Sequence, residues 1–269
     1  MKADVWLPEA SQKLRNAGVD SPRLDAQLLL AHALGQNRVW LVTHPEVEVP
    51  ESVDPLLDRR LDREPIAYIL GQWEFYGRPF FVGPGVLVPR GDTEALIEAA
   101  LGLTTRPKTI LDIGTGSGCL AITLASEWPD AEVTAVDISE EALEYAKRSA
   151  KALGAKVSFF SSDYLSSVEG KFDLIISNPP YVAHGDELQE EVERYEPEVA
   201  LYGGHDGLEP YRILSREGRR YLNPGGVMIL EFGDDMAHTV ADTFEAQNWT
   251  VVAIKKDLGD RPRAIIVSA

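Results

Sequence analysis

The stretch TILDIGTGSGCLAITLASEWPDAEVTAVD, residues 109–137, decides the fold. It opens on an apolar run, Thr109–Ile113, turns on three closely spaced glycines, passes through the helix-like LAITLASEW and closes on a second apolar run ending at Asp137. A strand, a crossover helix and a second strand in that order read as a parallel βαβ unit, which closes right-handed. The pattern then repeats. KVSFFSSD (156–163), FDLIISNPP (172–180) and GGVMILEFG (225–233) are further apolar runs, and SEEALEYAKRSAKALG (139–154) and YRILSREGRRYL (211–222) are helix-like. Continuous apolar runs are what strands buried on both faces look like. Two last runs, WTVVAIKKDL (249–258) and RAIIVSA (263–269), are joined by the short turn Gly259–Pro262, so they should pair antiparallel. The expected fold is α/β: a Rossmann-like, seven-stranded sheet, mostly parallel with an antiparallel C-terminal strand, preceded by a small helical bundle.

Upstream of this sheet the character differs. Residues 1–72 read as helical. Ser21-Pro22 offers a capping hydroxyl followed by a proline at the first turn, and Leu24, Leu28, Ala31 and Leu34 recur at helical spacing before Gly35. Further helical stretches are expected at 52–61 and 65–70. Such short helices need one another to be stable, so they should form a bundle. Residues 73–90 alternate aromatics and valines with Gly77, Pro79, Gly83, Pro84 and Gly85, and read as a linker with a β-hairpin. A helix near Thr93–Leu101 starts the third segment, 91–269, which carries the sheet.

The whole chain has 269 residues, 44% of them hydrophobic and 26% charged, which is enough to bury a sizeable core. Its formal net charge of -17 argues against a broad electrostatic grip on nucleic acid or on an anionic membrane. Cys119 is the single cysteine, so an intrachain disulfide is excluded and a reducing cytoplasm fits. No apolar run approaches the ~20 residues of a membrane helix, and no signal peptide is read at the start. The acidic cluster Glu187–Glu198 reads as a solvated face.

The candidate site residues lie at the ends of the strand runs. Gly114-Thr115-Gly116-Ser117-Gly118 follows the first run and precedes a helix; its glycines allow a tight turn and close ligand approach. The dinucleotide fingerprint wants a third glycine where Cys119 stands, which weakens a pyrophosphate reading. Asp137 ends the second run, where an acid can accept both hydroxyls of a ribose. Asp163 ends the third and could accept from an adenine amino group. Asn178-Pro179-Pro180-Tyr181 ends the fourth. Two prolines make a stiff turn that displays acceptors: the Asn178 side-chain oxygen and the carbonyl of Pro179 or Pro180. Two acceptors suit a planar NH2 group, which is a poor nucleophile until it is oriented and made more electron-rich.

These residues carry a resemblance. SPRLDAQLLLAHALG (21–35), EPIAYILGQWEFYG (64–77), LVPRGDTE (87–94), LDIGTGSG (111–118), AVDIS (135–139), SNPPY (177–181), RYEPEVAL (194–201), YGGHDGL (202–208) and DLGDRPRAIIV (257–267) together make the chain resemble the class I S-adenosylmethionine-dependent methyltransferases. Within them it looks like the N5-glutamine methyltransferases of peptide chain release factors, which act on the glutamine of a GGQ tripeptide. The resemblance implies S-adenosyl-L-methionine as cofactor, with S-adenosyl-L-homocysteine as product. It implies that Gly114–Gly118 wrap the methionine part, that Asp137 holds the ribose, and that Asp163 and Tyr164 line the adenine region. Asn178 and the Pro179–Pro180 backbone would bind the glutamine amide beside the cofactor, with Tyr181 packed alongside. Phe75 would pack against substrate or cofactor, and Arg90 would form an ion pair, Glu94 being a candidate partner; for both, a plain place in the core of the linker segment is the other reading. The helical bundle would recognise the release factor, free in solution and in the cytoplasm, with no membrane and no stable nucleic acid as partner.

The rival enzyme is an amino-group methyltransferase acting on DNA or RNA bases, which similar tetrapeptides serve; it needs a basic approach path that this acidic chain does not offer. Nucleotide-linked redox chemistry fails at Cys119. A non-catalytic nucleoside-binding module leaves Asn178–Tyr181 without a task. His32, His184 and His205 have no metal-site spacing, so no metal is implied, and the Tyr202–Gly207 stretch reads as a loop folded over near the site.

Overall fold

The computed structural model describes residues 1–269. The chain forms two compact units, the first from Met1–Gln72 with Leu188–Tyr195, the second from Trp73–Glu187 with Glu196–Ala269. The hairpin segment 73–90 falls within the second unit, and Leu188–Tyr195, inside the segment read as 91–269, clusters with the helices.

The first unit holds α1 (Ala3–Asn16), α2 (Pro22–Ala33), α3 (Arg38–Thr43), α4 (Asp54–Leu61) and α5 (Ile66–Leu70), with α9 (Glu190–Tyr195) from the later segment. Trp6, Leu14, Leu29, Leu30, Leu41 and Leu57 form its core. The start of α2 departs from expectation. The Ser21 hydroxyl makes no capping bond; its carbonyl instead accepts the Asp25 amide at 2.9 Å. The proline at the first turn, with φ already fixed near the helical value, sets that boundary. An ionic cluster lies inside this unit. The Arg60 side chain is 4% exposed and donates to Asp25 Oδ2 and to Glu191 Oε2, both at 2.7 Å. Glu191, itself only part-exposed, is thus an ion-pair partner, and the acidic cluster 187–198 is not simply a solvated face.

The second unit starts with the hairpin β1 (Gln72–Phe75) and β2 (Arg78–Phe81). Helix α6 (Glu94–Leu101) leads into β3 (Thr109–Ile113), α7 (Cys119–Glu127), β4 (Glu132–Asp137), α8 (Glu140–Leu153), β5 (Val157–Ser161) and β6 (Phe172–Ser177). After α10 (Glu198–Leu201) and α11 (Glu209–Glu217) come β7 (Leu222–Glu231), α12 (Ala237–Glu245), β8 (Thr250–Lys256) and β9 (Pro262–Ser268). The seven-stranded sheet has the order β5-β4-β3-β6-β7-β9-β8. Strands β3 to β7 run parallel, and β9 lies antiparallel between β7 and β8. The fold matches the expected class.

Both faces of the sheet are covered, as its unbroken apolar strands require. Ile110, Leu174 and Ile176 pack on one side with Leu96, Ile97, Leu120 and Leu124. Leu111, Ile175 and Leu230 pack on the other with Tyr211, Leu214, Val240 and Phe244. Neighbouring residues of β3 and of β6 fall into opposite clusters, the period of two that a pleated strand imposes. No helix is long and apolar enough to cross a membrane.

Candidate active site

The strand order reverses at β3: the chain moves outward through β4 and β5, then returns to place β6 on the other side. Ligands of open α/β sheets bind in the crevice this reversal leaves at the carboxyl ends of the strands. The register shows which residues meet there. Ile113 pairs with Val136 on one side and Ser177 on the other. The next residue on each strand, Gly114, Asp137 and Asn178, therefore stands at the same level. Asp137 pairs in turn with Ser161, which brings Ser162 and Asp163 to that edge.

Gly114, Gly116 and Gly118 all have positive φ, at 68°, 54° and 83°. At Gly118 a side chain is excluded twice, by that φ and because a Cβ would stand 2.7 Å from Ile122 Cδ1. The Asp137 carboxylate is pinned by two backbone amides, Gly116 at 2.8 Å and Ser139 at 2.9 Å. Ser139, not Asp137, caps α8, accepting from the Ala142 amide. Each carboxylate oxygen retains a lone pair for a ligand. Burial raises the pKa of Asp137. Beneath the loop, Asp112 is fully buried; its Oδ2 accepts from the Thr115 hydroxyl at 2.6 Å and from the Ala121 amide at 3.2 Å. Its Oδ1 has no partner, and burial pushes its pKa up to about 7. Asp112 sits one residue before the end of β3, inside an apolar run that gives no local signal of its role.

Thr115, Ser117 and Asp163 line the cleft with Gly114, Gly116 and Asp137, and Tyr164 lines it with a half-buried ring. Gly118 does not reach the wall; it shapes the turn. Cys119 lines the cleft too, but burial pushes its thiol up to about 12, which removes it as a nucleophile at neutral pH.

The Asn178-Pro179-Pro180 turn forms one end of the same cleft. Asn178 Nδ2 donates to Thr93 Oγ1 at 3.1 Å, which fixes the amide and leaves Oδ1 as the displayed atom. The loop 202–207 packs over the turn: Gly203 N donates to the Val182 carbonyl at 2.9 Å, and His184 N to the Gly204 carbonyl at 3.1 Å. A Cβ on Gly203 would come within 2.5 Å of the Pro180 carbonyl oxygen. With Pro180 covered in this way, Pro179 is the carbonyl left for a ligand. Tyr181 does not line the cleft. Its ring packs on Gly233 and Met236, and burial pushes the phenol pKa upward.

Two further assignments need correction. Phe75 is 1% exposed and packs edge-on against Phe80 with ring centres 6.1 Å apart; it belongs to the core, not to the cleft. Arg90 lines the cleft but pairs with Glu196, at 2.5 Å, and not with Glu94, which instead accepts the Tyr76 amide. The Glu196 side chain is 1% exposed and also accepts the Val88 amide at 3.2 Å. This pair ties the irregular 85–90 stretch to the segment after Glu196, whose Pro197, Val199 and Ala200 also line the cleft. Glu196 was hidden within an acidic run, and no local pattern distinguishes it from its neighbours.

The cleft offers about 1030 Å³ of empty space, part of it open to solvent. Asp137 and Asp163 are its acids and Arg90 its one cation. An acidic wall with unsatisfied Asp112 behind it suits a nucleoside that carries positive charge, and repels a pyrophosphate. A sulfonium nucleoside with an α-ammonium group meets both conditions, so these residues fit S-adenosyl-L-methionine.

Comparison with known proteins agrees with this geometry. A family model described as "Methyltransferase small domain" matches residues 92–195, and one described as "PrmC N-terminal domain" matches residues 6–71. Among solved structures, a methyltransferase from Pyrococcus furiosus superposes with a TM-score of 0.56 at 26% identity, covering 78% of this chain and 95% of that one. A ribosomal protein L11 methylase from Lactobacillus delbrueckii subsp. bulgaricus shares the fold at a TM-score of 0.50 and 22% identity, over 66% of this chain and 78% of that one. Curated relatives named "Release factor glutamine methyltransferase" are 43% identical in Koribacter versatilis, over 96% of this chain and 95% of the relative, and 38% identical in Escherichia coli, over 99% and 98%. With likeness of that degree along nearly the whole of both chains, this chain belongs to the release factor glutamine methyltransferase family.

Proposed function

We propose that this protein transfers a methyl group from S-adenosyl-L-methionine to the side-chain amide nitrogen (N5) of the glutamine in the GGQ motif of peptide chain release factors. The observation that carries the reading is the Asn178 amide. Thr93 holds its Nδ2, so Oδ1 is presented in the cleft one residue beyond β6, level with Gly114 and Asp137.

When bound, S-adenosyl-L-methionine supplies a methyl made electrophilic by the positive sulfonium, and S-adenosyl-L-homocysteine is the product. Gly114–Gly118 shape the loop for its methionine part, Asp137 accepts from the ribose hydroxyls, and Asp163 and Tyr164 border the adenine. Asn178 Oδ1 and the Pro179 carbonyl accept the two hydrogens of the substrate amide. That orients the nitrogen lone pair in line and raises its electron density, so alignment and preorganised acceptors carry the catalysis. No general base is needed before attack, because the proton is lost to solvent after transfer. Tyr181 supports the turn from below, packed on Gly233 and Met236. The Arg90–Glu196 pair holds the mouth together and limits access of water.

The helical unit serves to recognise the release factor. The cytoplasm is the compartment that fits, and with a net charge of -17 the free factor is a better target than one bound to ribosomal RNA. The test is mass spectrometry of a release factor incubated with the protein and S-adenosyl-L-methionine. The expected result is one added methyl on the GGQ glutamine; a methyl elsewhere, or on nucleic acid only, overturns the reading. Asn178→Ala should cut transfer by ~10²-fold or more while leaving cofactor affinity nearly intact, the scale of losing one stabilising donor or acceptor at a reacting centre.

A further inference from the structure

Behind the Asn178 turn lies a buried acid that the mechanism above does not use. Glu231 ends β7. Ser177 of β6 pairs with Leu230 of β7, so Asn178 and Glu231 are the next residues on adjacent parallel strands. Glu231 is 1% exposed, and its Oε2 has no hydrogen-bond partner. The polar neighbours of its carboxyl are the hydroxyls of Thr93 and Tyr181. Thr93, itself 2% exposed, is the residue that receives the Asn178 amide.

We infer that Glu231 is a positioning residue: acting through the Thr93 hydroxyl, its carboxylate sets which end of the Asn178 amide faces the substrate. The inference rests on the reading of Asn178 Oδ1 as an acceptor for the substrate amide. An ionised carboxylate only accepts hydrogen bonds. With the Thr93 hydroxyl hydrogen turned to it, Thr93 Oγ1 is left to accept, and its partner is Asn178 Nδ2. Oδ1 therefore points into the cleft. A protonated Glu231 can itself donate to Thr93. The threonine hydroxyl is then released to donate to Asn178, and the amide can turn its NH2 toward the cleft. An NH2 facing the NH2 of a substrate glutamine repels it, and the site loses one of its two acceptors.

The charged surroundings place this switch near neutrality. Arg263 of β9 faces Glu231 and favours its ionised form, while Asp92, in the turn before α6, opposes it. Arg263 is itself shared among Asp92, Asp234 and Asp257, at 3.2, 2.8 and 3.5 Å. Tyr211 of α11 contributes only a hydroxyl, donated to the Glu231 main-chain carbonyl at 2.8 Å. Burial outweighs Arg263 and raises the carboxyl to about 7.

The experiment is methyl transfer to an intact release factor, followed as kcat and KM against pH, with the cofactor Kd measured by calorimetry on the same samples. The wild type should lose kcat on the acid side of about 7. Glu231→Gln offers Thr93 an amide oxygen but does not titrate, so its profile should be flat between about pH 6 and pH 8. Thr93→Val should lose kcat on the order of tenfold at every pH with cofactor Kd unchanged, and Thr93→Ser should restore most of it. An acid limb that persists in Glu231→Gln, or a Thr93→Val enzyme with the wild-type kcat, overturns the inference. Asn178→Ala run beside them separates the two levels. If it too keeps the wild-type rate, the acceptor reading itself falls; if it alone is impaired, that reading stands and the role of Glu231 fails.

Discussion

Asp137 Oδ2 accepts the Gly116 amide at 2.8 Å, linking the end of β4 to the glycine loop after β3. The carboxylate thus shapes the loop and still has lone pairs for a ribose. Asp137→Ala removes both functions. Each charge-assisted bond is worth about 1.5–3 kcal/mol, so the cofactor Kd should rise by at least about tenfold. Calorimetry checks this, and an unchanged Kd would show that the carboxylate serves only the loop and the start of α8.

Gly203 lies against the Asn178–Tyr181 turn at a distance that excludes a methyl group. Gly203→Ala places a Cβ within 2.5 Å of the Pro180 carbonyl oxygen and 2.8 Å of the Gly207 carbonyl oxygen. Both contacts are backbone, so the turn or the loop must move. We expect a loss of about 1–3 kcal/mol in stability, the usual scale of overpacking. Methyl transfer should fall more than cofactor affinity does. Equal losses in both would mean that the damage spreads through the whole unit.

In the helical unit, Arg60→Met leaves Asp25 buried without its cation and takes from Glu191 the nearer of its two arginine partners, Arg63 remaining at 3.7 Å. Removing one member of a buried ion cluster costs about 3–5 kcal/mol, far more than a surface pair. Hydrogen exchange should accelerate in α2 and α4, and transfer to intact release factor should weaken. Cofactor binding, which uses residues of the other unit, should stay within a few-fold of wild type. Wild-type exchange rates in α2 would refute the structural role given to Arg60.

The apo protein should also carry a pH signature from Asp112. Its folded pKa, about 7, lies above the ordinary 3.8 because of burial. A raised acid binds its proton more tightly in the folded state, so its contribution to stability is complete below about pH 4 and is lost as pH rises to about 7. The size is on the order of 4 kcal/mol, about three pKa units at 1.36 kcal/mol each. Asp112→Asn does not titrate. Relative to wild type it should therefore gain stability steadily between about pH 4 and pH 7 and stay level above that. Urea unfolding at a series of pH values would show this, and two parallel curves would rule it out.

Much of this molecule was legible in its sequence because the signals are local. Apolar runs such as Thr109–Ile113 and Phe172–Ser177, with helix-like stretches between, announced a parallel sheet covered on both faces. Glycine spacing marked the loop 114–118, and acids or prolines at strand ends marked Asp137 and Asn178, since each needs only its own neighbours to be recognised. What the tertiary structure alone decided is the set of partners. Asn178 meets Thr93 across 85 residues, Arg90 meets Glu196 across 106, and Arg60 meets Glu191 across 131. Within the sequence Glu196 and Glu191 look like any acids of a charged run, and Phe75 suits the cleft as well as the core. Only the order of the sheet and the packing of helices, which bring distant segments to one level, determine which acid is buried against an arginine and which aromatic is sealed in the core.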